Sequence, residues 1–171
     1  MELLERFAAG DVLAFEELFR EYQGRVYGWI VRIVRNPGAA EELTVEAFWR
    51  MHRARARFDP ARSFGAWARR ISSNVALDHL RSAPRDIPLE EVPPPQAPDR
   101  SGNPALAQAL GRAFSQLPPK LRAVASLALV EQEPYAEVAE ALGISMAAVK
   151  SREFRAVRIL RKKLERLGWR P

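Results

Sequence analysis

Lys150, Ser151, Arg152 and Arg155 are side chains that can hydrogen-bond base edges and phosphates, and helical spacing gathers them near the start of one helix. They lie in the stretch YAEVAEALGISMAAVKSREFRAVRILRKKL, residues 135–164. A second set interleaves rings with guanidinium groups: Phe48, Trp49, Phe58, Phe64 and Trp67 among Arg50, Arg53, Arg55, Arg57, Arg62, Arg69 and Arg70. Rings stack on unpaired bases and arginines track phosphates, so this is the composition of a single-strand-binding surface. Neither set resembles a catalytic centre. The chain has no cysteine, its histidines are His52 and His79, and neither has a ligand partner at metal spacing. No phosphate-cradling glycine loop or triad spacing occurs, so no enzyme, metal or cofactor is expected.

The first set needs a helix, a turn and a second helix. Pro134 can open the first, where its missing N–H has no intrahelical partner. Val138 and Leu142 share a face, and Ala139 is small enough for a close crossing. Gly143 supplies the positive φ that ends a helix cheaply. Ser145 is a good N-cap for the second helix. Val149, Ala156, Leu160 and Leu167 then face inward. Met146, Ala147, Lys150, Ser151, Arg152 and Arg155 are left outward. Two amphipathic helices with a solvated basic face would also satisfy this pattern. The small residue, the glycine and the cap all fall at helix-turn-helix spacing, which favours duplex DNA.

The second set sits among four predicted helices: Val12–Tyr22 with Asp11 as N-cap, Val26–Arg35, Ala39–Arg57, and Phe64–Arg81 capped by Ser63. Asn36-Pro37-Gly38 and Asp59-Pro60 punctuate them. Phe64, Ala68, Ile71 and Val75 make one stripe, so Phe64 is expected to be at least partly buried. Arg70, Asn74 and Arg81 share the opposite face, interrupted by Leu77. Asn74 and Arg81 suit bases or phosphates, and Arg81 is equally suited to pair with Asp78 three residues away.

Charge is distributed in blocks along the 171 residues, whose net charge is +6. Residues 1–49 carry five basic and nine acidic side chains, and 50–85 carry nine and two. Residues 86–149 carry four and eight, and 150–171 carry nine and two. Two basic blocks imply two contacts with a polyanion. Between them, prolines at 84, 88, 93, 94, 95 and 98 block both helix and central strand. Residues 84–103 therefore read as a flexible Pro-rich linker between two small helical domains, 1–83 and 104–171. Helices over Ala105–Leu117 and Pro119–Val130 are expected in the second. No β-period appears, so the fold class is all-α. No leader-like start and no membrane-spanning apolar run is visible, which predicts a soluble cytoplasmic protein without membrane insertion.

AEELTVEAFWRMHRARARFDPARSFGAWARRISSNVALDHLR resembles region 2 of the sigma-70 family of bacterial transcription initiation factors, in its minimal extracytoplasmic-function form. LPPKLRAVASLALVEQEPYAEVAEALGISMAAVKSREFRA resembles region 4. The resemblance covers residues 11–83 and 104–168. It implies that Glu41, Glu42, Thr44, Val45 and Phe48 dock on the β′ clamp helices of core RNA polymerase, with the β flap as a further contact. It implies that Arg57, Phe58, Asp59, Arg62, Ser63, Phe64, Trp67, Arg70, Asn74 and Arg81 capture the melted −10 element. It implies that Ser145, Met146, Ala147, Lys150, Ser151, Arg152 and Arg155 read the −35 element of promoter DNA as duplex. An anti-sigma factor is a further implied partner. The chain departs from the family pattern at Val45, Ser73, Ala147-Ala148 and Glu153. Glu153 falls on the inner stripe with Val149 and Ala156, where a carboxylate needs a partner, with Arg122 or another arginine as the candidate. An ordinary helix-turn-helix regulator would account for residues 104–168 and leave the aromatic-arginine block idle. A helical protein whose basic faces bind an acidic partner would leave the turn chemistry idle.

Overall fold

The computed structural model describes residues 2–82 and 103–169. The described residues contain helices and no strand, the all-α class that the sequence predicts. The chain divides into two compact units, residues 1–83 and 84–171. The linker expected over 84–103 lies outside the described residues, apart from Asn103.

The first unit holds α1 (Leu3–Ala8), α2 (Val12–Val34), α3 (Pro37–Ala54) and α4 (Phe64–Ser82). Helix α1 is not among the predicted helices. It has six residues, too few to show a period, but Glu2 and Glu5 close a capping box over it. Its Phe7 is fully buried. The Phe7 ring meets Phe15, Phe58, Phe64 and Trp67 at centroid distances of 6.2, 5.9, 5.5 and 6.1 Å, within the range where offset and edge-to-face pairs are favourable. Asp11 joins α1 to α2. Its Oδ2 accepts from Arg6 Nε at 2.7 Å, and its Oδ1 caps α2 through the Leu13 N–H at 2.9 Å.

Helix α2 is continuous where two helices are predicted. Gly24 suggests a break, since glycine costs about 1 kcal/mol in a helix interior. Burial of Leu18, Val26, Trp29, Ile30 and Ile33 along one stripe outweighs that cost. Arg35, at φ 59°, ends the helix, and Asn36 Oδ1 at once caps α3 through the Ala39 N–H at 3.0 Å. Pro37 is the first residue of α3, two residues earlier than predicted, as suits a residue with no N–H to bond. After Ala54 the chain tightens into a single 3₁₀ turn, Arg55–Arg57, so the helix predicted to reach Arg57 ends sooner.

The second unit holds α5 (Pro104–Ser115), α6 (Pro119–Ala125), α7 (Tyr135–Leu142) and α8 (Met146–Arg166). Beyond α6 the turn Ser126–Val130 widens, the Glu131 N–H donating to Ser126 O at 3.0 Å. Val149 of α8 packs with Val124, Leu127, Val138 and Ala141. Ala156 and Leu160 pack with Ala113, Phe114, Leu117, Leu121 and Ala125. Leu167, predicted to extend this inward stripe, is exposed, because α8 ends at Arg166 and Gly168 (φ 89°) turns the chain away. Gly143 adopts φ 64° at the end of α7, and Ser145 Oγ accepts from the Ala148 N–H at 3.1 Å to cap α8.

Two outcomes test the role of α1. Phe7→Ala should destabilise the first unit by about 3–5 kcal/mol, the usual cost of a phenylalanine-sized cavity, read by chemical denaturation followed through tryptophan emission. The Arg6 guanidinium holds the Asp11 carboxyl below its ordinary 3.8. Its charged form therefore stabilises the fold above that value, and this contribution is lost as pH falls through the lowered one. Hydrogen exchange at the Leu13 and Ala14 amides should be faster in Asp11→Asn than in the parent at neutral pH, with the gap closing in acid below 3.8.

Candidate nucleic-acid and partner interfaces

The apolar stripe of α8 decides which of its side chains reach solvent. Met146, Ala147, Lys150, Ser151 and Arg155 are exposed, as is the capping Ser145, while Arg152 is half-buried. Phe154 belongs to this face and is absent from the predicted set. It is 69% exposed, between Lys150 one turn before it and Arg158 one turn after. A large ring left in water within a basic stripe suits contact with a thymine methyl or a sugar. The signal available in the sequence was its place four residues after Lys150. Arg158, Arg161 and Lys162 extend the same exposed basic face.

Glu153 is half-buried, and its partner is a phenol: Tyr135 Oη, on the first residue of α7, donates to Glu153 Oε2. Arg122 instead lies inside the second unit, where Nη1 donates to Ser115 O and Leu117 O, both at 3.1 Å, and ties down the end of α5. The Glu153 carboxylate raises the Tyr135 phenol above its ordinary value, with smaller contributions from burial and charge. The Lys150 ammonium lies 6.0 Å from the centroid of the same ring.

In the first unit, Arg57, Asp59, Arg62, Ser63, Arg70, Asn74 and Arg81 are exposed and Trp67 is half-buried. Phe58 and Phe64 are not available as stacking platforms in this conformation. Both are buried in the Phe7 cluster, where their rings meet at 5.7 Å. They form the wall behind the Asp59–Ser63 loop. Ser63 Oγ accepts from the Ala66 N–H at 3.2 Å, and Asp59 Oδ1 from the Ala61 N–H at 3.0 Å, so polar side chains set the loop's shape. Arg81 pairs with Asp78 at 3.3 Å, and Arg50 meets the same carboxylate at 3.2 Å. Arg69 is turned inward over the Trp29 ring, 5.5 Å from its centroid.

Helix α3 divides the proposed docking residues. Glu41, Glu42 and Val45 are exposed. Thr44 and Phe48 are buried and pack α3 within the unit. Thr44 Oγ1 donates to Ala40 O at 2.7 Å, and Phe48 packs on Phe19 at 4.7 Å. Trp49 completes the outward face that the predicted set lacks. It is 56% exposed, one turn beyond Val45 at 66%, and its ring stacks on His52 at 5.9 Å. The Val45–Trp49 spacing of four was the legible sign. Apolar side chains rimmed by Glu41, Glu42 and Glu46 make a surface suited to a partner with apolar and basic groups.

Comparison with known proteins bears on both units. The family model described as Sigma-70 region 2 matches residues 18–85, and that described as Sigma-70, region 4 matches residues 107–160. The chain is 36% identical over 169 residues to the RNA polymerase sigma factor CarQ of Myxococcus xanthus, covering 96% of this chain and 97% of that one. It is 33% identical over 157 residues to the ECF RNA polymerase sigma factor SigM of Mycobacterium tuberculosis, covering 91% and 79%. The fold is similar to that of the sigma factor RpoE of Bartonella quintana, solved with the anti-sigma factor NepR. That similarity has a TM-score of 0.71 at 20% identity, over 88% of this chain and 96% of that one. A turn-linked basic helix in one unit, a ring-backed arginine loop in the other, and matches spanning both place the chain in the sigma-70 family of RNA polymerase sigma factors, within its extracytoplasmic-function (ECF) group.

Proposed function

We propose that this chain initiates transcription by binding core RNA polymerase, recognising two promoter elements and helping to open the duplex between them. The observation that supports this most directly is the exposed face of α8, where Lys150, Ser151, Phe154 and Arg155 stand clear of the core. In this reading residues 104–171 read the −35 element as duplex, with additional contact to the β flap. Residues 1–83 dock on the β′ clamp helices through Glu41, Glu42, Val45 and Trp49. The Arg57–Ser63 loop, Trp67, Arg70, Asn74 and Arg81 take the melted −10 strand.

The activity is binding without catalysis. Opening costs about 1.4 kcal/mol per base-pair step. Capturing and stacking an unpaired base returns about 1–3 kcal/mol, so a few captured bases offset several steps. No nucleotide hydrolysis is required. The chain acts inside the cell, where the polymerase is, and an anti-sigma factor that covers the α3 face would hold it inactive. Among the described residues no helix is long and apolar enough to cross a membrane.

Run-off transcription tests the reading. Purified core polymerase on fragmented genomic template should produce new discrete start sites only when this chain is added. Failure to do so, with the polymerase active under another factor, would favour a stand-alone duplex-binding regulator. Two substitutions should separate the interfaces. Trp49→Ala should weaken core binding by about 2 kcal/mol, as for a central aromatic contact, and leave −35 recognition intact. Arg155→Ala should spare core binding and lower the salt dependence of promoter binding by about one counterion.

A further inference from the structure

On the surface of α8, Glu153 has one cationic neighbour a turn away. Positions 149, 156 and 157 are valine, alanine and valine, and position 150 is Lys150. Side chains three residues apart on a helix are neighbours and can pair when their charges are opposite. Here they do not: the carboxylate accepts from the Tyr135 hydroxyl, and the ammonium lies 6.0 Å from the centroid of the Tyr135 ring. Tyr135 is the first residue of α7, so its phenol reaches from one helix of the pair to the other. One end of it satisfies the carboxylate, while the negative face of the ring attracts the ammonium.

We propose that Tyr135 is a positioning residue for DNA recognition: by occupying Glu153 it prevents that carboxylate from capturing Lys150, and so keeps the ammonium available to a phosphate or guanine edge. This rests on the reading of α8 as the duplex-facing helix. Without the hydroxyl, Glu153 loses its donor, and Lys150 is the cation one turn away on the same helix. The lysine would then turn along the helix toward the acid and away from the groove. The defect is one of orientation, so removing the acid should cure it.

The test uses the full chain in holoenzyme, binding a promoter duplex over a range of salt, with helicity of each variant checked by circular dichroism. Lys150→Ala should lower the salt slope by about one. Tyr135→Phe should lower it equally, and adding Lys150→Ala to Tyr135→Phe should lower it no further. Glu153→Leu alone should keep the parent slope, and Tyr135→Phe with Glu153→Leu should restore it. That recovery is the deciding result, since a phenol that merely packed the two helices would not be replaced by deleting its partner. A parent-like slope in Tyr135→Phe, or a double variant as weak as Tyr135→Phe, would overturn the proposal while Lys150→Ala still showed its effect. Parent-like slopes in both Lys150→Ala and Arg155→Ala would instead remove the duplex-facing reading itself. Absorbance titration adds a spectroscopic signature. The Tyr135 phenol, isolated by difference against Tyr135→Phe, should ionise above its ordinary range and return toward it in Glu153→Leu.

Discussion

Burial of a single apolar stripe on α8 is the constraint on which the second unit depends. Val149 closes one cluster with α7, and Ala156 and Leu160 close the other with α5 and α6. A buried side chain of this kind contributes about 1.5–3 kcal/mol when valine- or leucine-sized, whereas an exposed ion pair contributes about 0–1 kcal/mol. Apolar packing and the Gly143–Ser145 turn therefore set the rotation of α8. The basic residues follow that rotation and do not determine it. The arginine-rich face can stay unpaired by acidic neighbours because the core fixes its direction without their help.

The first unit follows the same logic with rings in place of aliphatic side chains. Phe7 brings Phe58 and Phe64 together at the two ends of the Asp59–Ser63 loop, so the loop's anchors are in the core and its polar residues are in water. Phe58 and Phe64, two rings of the aromatic-arginine set, are the loop's buried anchors. Half-buried Trp67 and Phe15 are the rings of that cluster with surface left to offer, while Trp49 serves a different face on α3.

How much of this was legible follows from which interactions are local. The caps at Asp11, Ser63 and Ser145 and the glycine turn at 143 depend on neighbours in sequence, and they stand in the structure where turn chemistry puts them, while Asn36, read as turn punctuation, also caps α3. Most outward residues of α8 were legible for the same reason, through a clear helical period, though Phe154 was missed and Arg152 is half-buried. Non-local decisions were not. Helix α1 owes its place to Phe7 meeting rings from three other segments, which no short window shows. The continuity of α2 through Gly24 depends on what packs beneath it. The family resemblance gives Thr44, Phe48 and Phe58 contact roles, and the packing of α2 against α3 and α4 shows that their side chains are interior, whereas the burial of Phe64 is already legible in its stripe with Ala68, Ile71 and Val75. Glu153 needed a partner, as its place on the inner stripe required. That the partner is a phenol eighteen residues away depends on the crossing of two helices.

Along α8 the residues that hold the helix in place and those that the proposed function turns toward DNA are almost disjoint sets. Substitution at Met146, Ala147, Ser151, Phe154 or Arg155 touches no core contact, so each can vary with little cost to folding. A lineage built on this frame can explore new target sequences one position at a time without passing through unfolded intermediates. The exception is the Tyr135–Glu153–Lys150 group, where a change at one member alters the fitness of the others. Divergence there should come in steps, with paired replacements separating descendants that share every other feature of the helix.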